Sequence, residues 1–222
     1  MFSKLSRLWP KALAVLLLLV VAAPFITRAR GGDEYAQLPM SGNNFEAYSD
    51  ALHILGRCYL LSPVTEAVIK AYEELEETCP EQQFIYAEMG WKGGGRFDPH
   101  RTHREGLSAD FITPMKFEAD GSAARLPIGP ANRWGYDLRL DREGCLEDIC
   151  IDISAVILHI QALDRAAREQ GYRIKQVIFD PPILLLLRNH QEYNKIQHIR
   201  FMEGQAWFPH DGHYHVDFEK LT

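Results

Sequence analysis

Two short histidine-rich runs carry the residue types in this 222-residue chain that are best suited to metal chemistry. Residues 99–111 contain His103 and, seven residues later, Asp110, while residues 209–218 contain His215. A catalytic zinc ion is typically held by three nitrogen, oxygen or sulfur ligands and keeps a fourth position open for water. The two runs therefore predict one zinc site, with His103, Asp110 and His215 as ligands and an open position for the attacking water.

Strand periodicity would bring these side chains to one surface. Residues 107–112 and 213–218 alternate in a way that predicts a strand for each run. Because successive side chains of a strand point to opposite faces, Asp110 projects from one face of the sheet, and His213 shares a face with His215. A histidine beside the open position could serve as general base and stabilise charge on a tetrahedral intermediate. We therefore expect His213 to be the catalytic residue.

The context of both runs resembles the penicillin-insensitive murein endopeptidases. These belong to the wider group that includes lysostaphin-type and D-alanyl-D-alanine-cleaving zinc peptidases and the hedgehog domain. The resemblance covers residues 60–218 and rests on Glu88-Met89-Gly90, Gly93-Gly94-Gly95-Arg96-Phe97, His100, His103, Gly106-Leu107, Asp110 and His210-Asp211-Gly212-His213-Tyr214-His215-Val216. The region between the two runs differs from that of the best-known members.

The resemblance implies a set of roles for this chain. It implies zinc bound by His103, Asp110 and His215, with His213 catalytic. It also implies roles for His100 and His210, either near the metal or on the substrate. Further candidates are Asp211 and Asp217, each of which could orient a histidine through its second nitrogen. Substrate contacts could come from Arg96, Arg101 and Arg104 for stem-peptide carboxylates, and from Trp91, Trp134, Tyr136 and Trp207 lining a groove.

The N-terminus has the pattern of an export signal. Residues 1–30 combine early basic residues with the apolar run 12–23 and contain no acidic residue. That run is shorter than the roughly 20 residues that span a bilayer, which favours a secretory signal peptide, with an uncleaved membrane anchor as the alternative. We expect a periplasmic protein whose N-terminal segment could contact the membrane.

Charge and cysteine content narrow the function class. Residues 1–30 hold five basic residues, so the remainder has 19 basic against 30 acidic residues, a formal charge of −11. An acidic domain is a poor candidate for binding nucleic acid. Four cysteines in an exported chain suggest disulfides, and the short spacing favours a Cys145–Cys150 pair. Pairing of Cys58 with Cys79 stays open, and the spacing of the four disfavours a four-cysteine zinc site.

The remaining pattern predicts an α+β fold with a small central antiparallel sheet flanked by helices and the zinc site on the sheet face. Residues 31–55 are expected to be a linker or arm, and residues 56–222 a zinc peptidase domain. The predicted helices are 63–78, which Ser62 would cap, 153–167 and 183–187; the predicted strands are 83–89, 107–112, 173–179 and 213–218. Residues 113–150 are predicted to be irregular and could form a lid or substrate wall.

These observations predict a zinc-dependent peptidoglycan endopeptidase that cuts D-alanyl cross-links between stem peptides. Two alternatives remain at this point. The same metal site would serve a D,D-carboxypeptidase that trims stem peptides. A non-catalytic wall-binding module that keeps zinc for stability is also possible, although the presence of His213 argues against it.

Overall fold

The computed structural model describes residues 34–98, 100–135, 137–204, 206, 210 and 212–222. The predicted signal or anchor at residues 1–30 therefore lies outside the described residues, as do Tyr136, Trp207 and Asp211. Among the described residues, no helix combines the length and apolar character that a membrane crossing requires.

Four helices and eleven strands make up a mixed α/β structure within the described residues. The helices are α1 (Asp50–Ile54), α2 (Ser62–Thr78), α3 (Ile153–Glu169) and α4 (Pro181–Asn189). The strands are β1 (Tyr35–Gln37), β2 (Phe45–Ala47), β3 (Tyr59–Leu61), β4 (Phe84–Tyr86), β5 (Ser108–Ile112), β6 (Met115–Phe117), β7 (Ala123–Ala124), β8 (Cys145–Leu146), β9 (Ile149–Ile151), β10 (Tyr172–Ile178) and β11 (His213–Lys220).

The main sheet has five strands in the order β10-β11-β5-β4-β2. Its pairings are antiparallel except that β2 runs parallel to β4. Strand β11 pairs with β10 on one side and with β5 on the other, so both histidine runs contribute to the middle of the sheet. The predicted antiparallel sheet is thus present, with a parallel strand at one edge.

Helices α2 and α3 pack against each other over one face of this sheet. The predicted apolar stripe of α3 is confirmed, since Val156, Ile160 and Leu163 are fully buried. The β11 alternation is also confirmed: Tyr214 lies beside His159 of α3, while His215 meets Asp110 on the other face. One face of the central strands therefore supplies the core, and the other carries the polar cluster.

The N-terminal segment corrects one expectation. Residues 34–55, predicted as part of a linker or arm, contain β1, β2 and α1. Leu38, Phe45 and Tyr48 are almost fully buried in the core. Burial of apolar side chains outweighs the turn-like composition of the segment, which is part of the domain.

Two further expectations are corrected by local structure. Residues 113–150, predicted as irregular, contain all but the last residue of a separate four-stranded antiparallel sheet in the order β7-β6-β9-β8. The predicted Cys145–Cys150 disulfide is confirmed and joins two residues that lie directly opposite each other in β8 and β9. Ser62 is the first residue of α2 rather than its cap, because Leu61 occupies the cap position.

His159 gives the core an acid-sensitive point. Burial lowers the pKa of His159 to about 3, so it stays neutral in the fold at pH values where the unfolded chain takes up a proton. Stability is therefore lost as the pH falls from about 6.5 towards 3. Between pH 7.5 and 5, we expect His159 to contribute a loss of about 2 kcal/mol in the free energy of unfolding.

His159→Phe should remove this contribution, and urea unfolding of both proteins at the two pH values measures it. The variant loses the hydrogen bond between His159 and Tyr214, so the comparison concerns the change between pH values and not the stability at one pH. An equal acid-induced loss in both proteins would contradict the assignment.

Candidate metal centre

The three predicted ligands meet on one face of the main sheet. Asp110 of β5 lies directly opposite His215 of β11 in the strand register, and His215 Nδ1 is 2.7 Å from Asp110 Oδ1. His103 Nε2 approaches from the loop before β5, 3.2 Å from Asp110 Oδ1 and 3.1 Å from His215 Nδ1. Two nitrogens and one oxygen therefore form a compact triangle.

This triangle has a spacing suited to a small cation. Tetrahedral zinc with bonds of 2.0–2.1 Å separates its ligand atoms by about 3.3 Å, which is close to the distances of 3.2 and 3.1 Å and about 0.6 Å longer than the 2.7 Å between His215 and Asp110. His100 adds a nitrogen on the other side of the carboxylate, with Nδ1 3.7 Å from Asp110 Oδ2. His100, His103 and Asp110 form a group that could hold a metal ion, with one ligand atom from each within 4.8 Å of the others.

His103 is fixed from behind by the backbone. Its Nδ1 donates to the Met89 carbonyl oxygen at 2.6 Å, which leaves the lone pair of Nε2 facing Asp110 and His215. The glycine run before it serves this loop: a Cβ on Gly94, which has φ +68°, would come within 2.3 Å of the Arg104 carbonyl oxygen. Only glycine allows the run to close against the turn that carries His103.

Asp217 orients His215 from the other side. Its Oδ1 accepts a hydrogen bond from His215 Nε2 at 2.8 Å. Ser108 Oγ donates to the same oxygen at 2.6 Å, and Gln176 Nε2 donates to Oδ2 at 2.9 Å. A carboxylate on the outer nitrogen fixes the orientation of a ligand histidine. This is the geometry expected for the orienting role that the sequence suggested for Asp217.

His213 and His210 lie next to the cluster. Both are almost fully buried, and their rings are 4.8 Å apart. His210 also lies 6.4 Å from the ring of His215. The structure therefore gathers seven of the eight histidine and aspartate candidates in one region: His100, His103, Asp110, His210, His213, His215 and Asp217. The eighth, Asp211, lies outside the described residues.

The charges of the cluster follow from burial and from the position of Asp110. Burial would raise the pKa of Asp110, but His103 and His215 hold it well below its usual range. Burial lowers the pKa of His103. Burial opposes the charge of His215 too, yet the carboxylates of Asp110 and Asp217 raise its pKa to about 9. At neutral pH His215 is therefore the charged histidine of this pair, and its Nδ1 is nearer to Asp110 Oδ1 than His103 Nε2 is.

His213 has a different environment from His215, although the two share a strand face. In the strand register His213 lies opposite Ile112, whereas His215 lies opposite Asp110. Burial, the largest influence, lowers the pKa of His213 to about 3 despite the opposing charge of Asp110. The imidazole of His213 is therefore neutral at neutral pH.

The predicted substrate-binding residues are less gathered than the ligands. Arg96, Arg101 and Arg104 are exposed, and Arg96 pairs with Asp98. Trp91 and Trp134 are half-buried. These positions leave the proposed contacts with stem peptides as predictions.

A third carboxylate of the region, that of Glu88, has no role predicted by the sequence patterns. Glu88 is 7% exposed and contacts His100, Arg57 and Tyr48. One signal was available: Glu88 is a single acid within the otherwise uncharged run 83–91. Its partners could not be read from the sequence, because Arg57 and Tyr48 are 31 and 40 residues away.

Comparisons with known proteins add no family assignment. A scan against protein-family models finds no match to this chain, and a search of curated proteins finds none either. What the structure establishes is a mixed α/β protein with a buried histidine and aspartate group able to hold a metal ion.

Proposed function

We propose that this protein is an exported zinc-dependent peptidase that hydrolyses D-alanyl cross-links in peptidoglycan. The observation that carries the proposal is the triangle of His103, Asp110 and His215, with His213 on the same face of β11. Two imidazoles and one carboxylate are a common ligand set of catalytic zinc in hydrolases. The substrate class rests on the resemblance of the two histidine runs to murein endopeptidases.

The ligand histidines have the outer contacts that zinc sites use. Met89 holds one nitrogen of His103, and Asp217 holds one nitrogen of His215, so both rings are oriented without the metal. A zinc ion bound there would activate a water molecule and polarise the carbonyl of the scissile bond. The protein's own contribution is to hold the three ligand atoms and keep His213 beside them.

His213 would move the proton during hydrolysis. It takes a proton from the attacking water as the oxygen bonds to the carbonyl carbon, and returns it to the amide nitrogen as the carbon–nitrogen bond breaks. The products are a carboxylate and a free amine. Hydrolysis consumes one water molecule and needs no further reactant.

Export is supported by covalent structure. Disulfides form and persist in oxidising compartments such as the periplasm, and the chain contains the Cys145–Cys150 bridge. The N-terminal pattern of residues 1–30 favours the same compartment.

The test is hydrolysis of purified cross-linked muropeptides by the metal-loaded protein. We expect activity that a chelator abolishes and added zinc restores, and a loss of at least about 100-fold in His215→Ala, since a zinc ligand is removed. His198→Ala is the matched control, because that side chain is 51% exposed. Activity that survives chelation and His215→Ala would contradict the proposal.

The same assay separates the alternatives. Release of D-alanine from free pentapeptide stems without cleavage of cross-linked dimers would identify a D,D-carboxypeptidase. Binding to sacculi without any released product, unchanged in His213→Ala, would identify a non-catalytic wall-binding module.

A further inference from the structure

Glu88 forms a buried ion pair with Arg57 and also contacts His100, one of the three residues that could together hold a metal ion. Arg57 Nε donates to Glu88 Oε1 at 2.5 Å, and the Tyr48 hydroxyl donates to the same oxygen at 3.0 Å. The other oxygen, Oε2, lies 2.6 Å from His100 Nε2. The two oxygens of this carboxylate therefore differ in function, because Oε1 is held by the protein and Oε2 holds His100.

The cation of this network is itself fixed in place. The Arg57 guanidinium lies 4.1 Å from the centre of the Phe97 ring and 5.1 Å from that of Trp91. Its side chain is 17% exposed, and that of Glu88 is 9% exposed. Because buried ion pairs often stabilise a fold no more than apolar residues of similar volume, stability alone is a weak reason for this pair.

The network determines which nitrogen of His100 carries the proton. A carboxylate paired with arginine has no proton to donate, so His100 Nε2 must donate to Glu88. In the neutral imidazole, Nδ1 then presents its lone pair towards Asp110, whose Oδ2 is 3.7 Å away. That separation is too long for a direct hydrogen bond but suits two ligands of one cation.

We infer that Glu88 is a positioning residue, supported by Arg57 and Tyr48. It fixes the ring orientation and tautomer of His100 so that His100 Nδ1 faces Asp110, with which it could hold a metal ion. The inference rests on the proposed function only for the use of the metal. The positioning itself is a property of the protein without metal.

Glu88→Gln provides a sharp test, because Arg57 can only donate. The amide oxygen of the glutamine must therefore face Arg57, which turns its NH₂ group towards His100 Nε2. The nitrogen that donated must now accept. We expect His100 to change from the Nε2–H to the Nδ1–H tautomer, which places a proton on the atom that faces Asp110.

Nitrogen-15 NMR of the histidine-labelled, metal-free full-length protein reads the tautomer directly. In Glu88→Gln we expect the His100 tautomer to change, while His103, which donates from Nδ1 to Met89, keeps its own. Zinc titration of the same samples should show an affinity reduced by about 10- to 100-fold. Tyr48→Phe is the matched control: it removes a contact of Glu88 but leaves Arg57 and His100 in place, so the tautomer should not change.

A His100 that carries its proton on Nδ1 in the unsubstituted protein would overturn the inference, even if Glu88→Gln does not fold. So would a Glu88→Gln protein with unchanged tautomer and zinc affinity. Neither readout uses peptidase activity. If Glu88→Gln changes the tautomer but the unsubstituted protein cleaves no muropeptide, the positioning role stands and the proposed function is rejected. If the unsubstituted protein cleaves muropeptides but Glu88→Gln leaves the tautomer and zinc affinity unchanged, the proposed function stands and the positioning role is rejected.

Discussion

Replacing His213 by alanine is expected to lower kcat for cleavage of a cross-linked muropeptide by about 10²- to 10⁴-fold, the usual contribution of a positioned general base. His213 shares a strand face with His215 and is 3% exposed. It lies outside the triangle of ligand atoms, so the variant should still bind zinc. Steady-state kinetics with metal analysis of the same samples measures both quantities.

Measuring zinc content beside kcat distinguishes a catalytic role of His213 from a role as a zinc ligand. A His213→Ala protein that loses its zinc would make His213 a ligand, and one that retains zinc and full activity would remove it from the chemistry. His53→Ala serves as the control, since the His53 ring contacts the Leu38 carbonyl oxygen and takes no part in the histidine and aspartate cluster.

Phe111→Ala is expected to reduce the free energy of unfolding by about 3–5 kcal/mol, the usual cost of truncating a buried phenylalanine. Phe111 is 1% exposed on the helix-facing side of β5. Its ring centre lies 4.7 Å from that of His159 and 5.6 Å from that of Tyr214. The truncation leaves a cavity between the sheet and α3, which urea unfolding of the metal-free protein measures.

Phe117→Ala is the matched control for this loss. Phe117 is 39% exposed at the end of β6, so folding removes less of its surface from water than it does for Phe111, and we expect a cost of about 1–2 kcal/mol. Equal losses in the two variants would show that the Phe111 ring does not anchor the central strands.

Period-two and helical patterns carried most of what the sequence could predict. The alternation of 213–218 identified β11 and its two faces, and the apolar stripe of 153–167 identified α3. Both elements are long enough for a periodic signal, and local sequence determines which face is apolar. The Cys145–Cys150 pair was predictable for a similar reason, since only short chain separates the two thiols.

The errors have a different physical origin. Strand β2 has three residues and β7 has two, which is too few for any periodic signal. Strand β2 is stabilised by pairing with β4, which is distant in sequence, and β7 by a short hairpin with β6. The role of Glu88 was missed because a buried carboxylate is recognised by its partners, and those come from separate parts of the chain. Sequence indicated which residues could bind metal, while tertiary structure supplies the groups that orient them.

The interior position of β11, between β10 and β5, limits how the protein can open. Because β11 is hydrogen-bonded along both edges, to β10 and to β5, the amide protons of its middle residues exchange with solvent only when the sheet itself separates. The same opening would pull His215 away from Asp110. The amide protons of Tyr214 and Val216 should therefore exchange only at the rate set by global unfolding. We expect no partly open form in which the helices stay packed while His215 separates from Asp110.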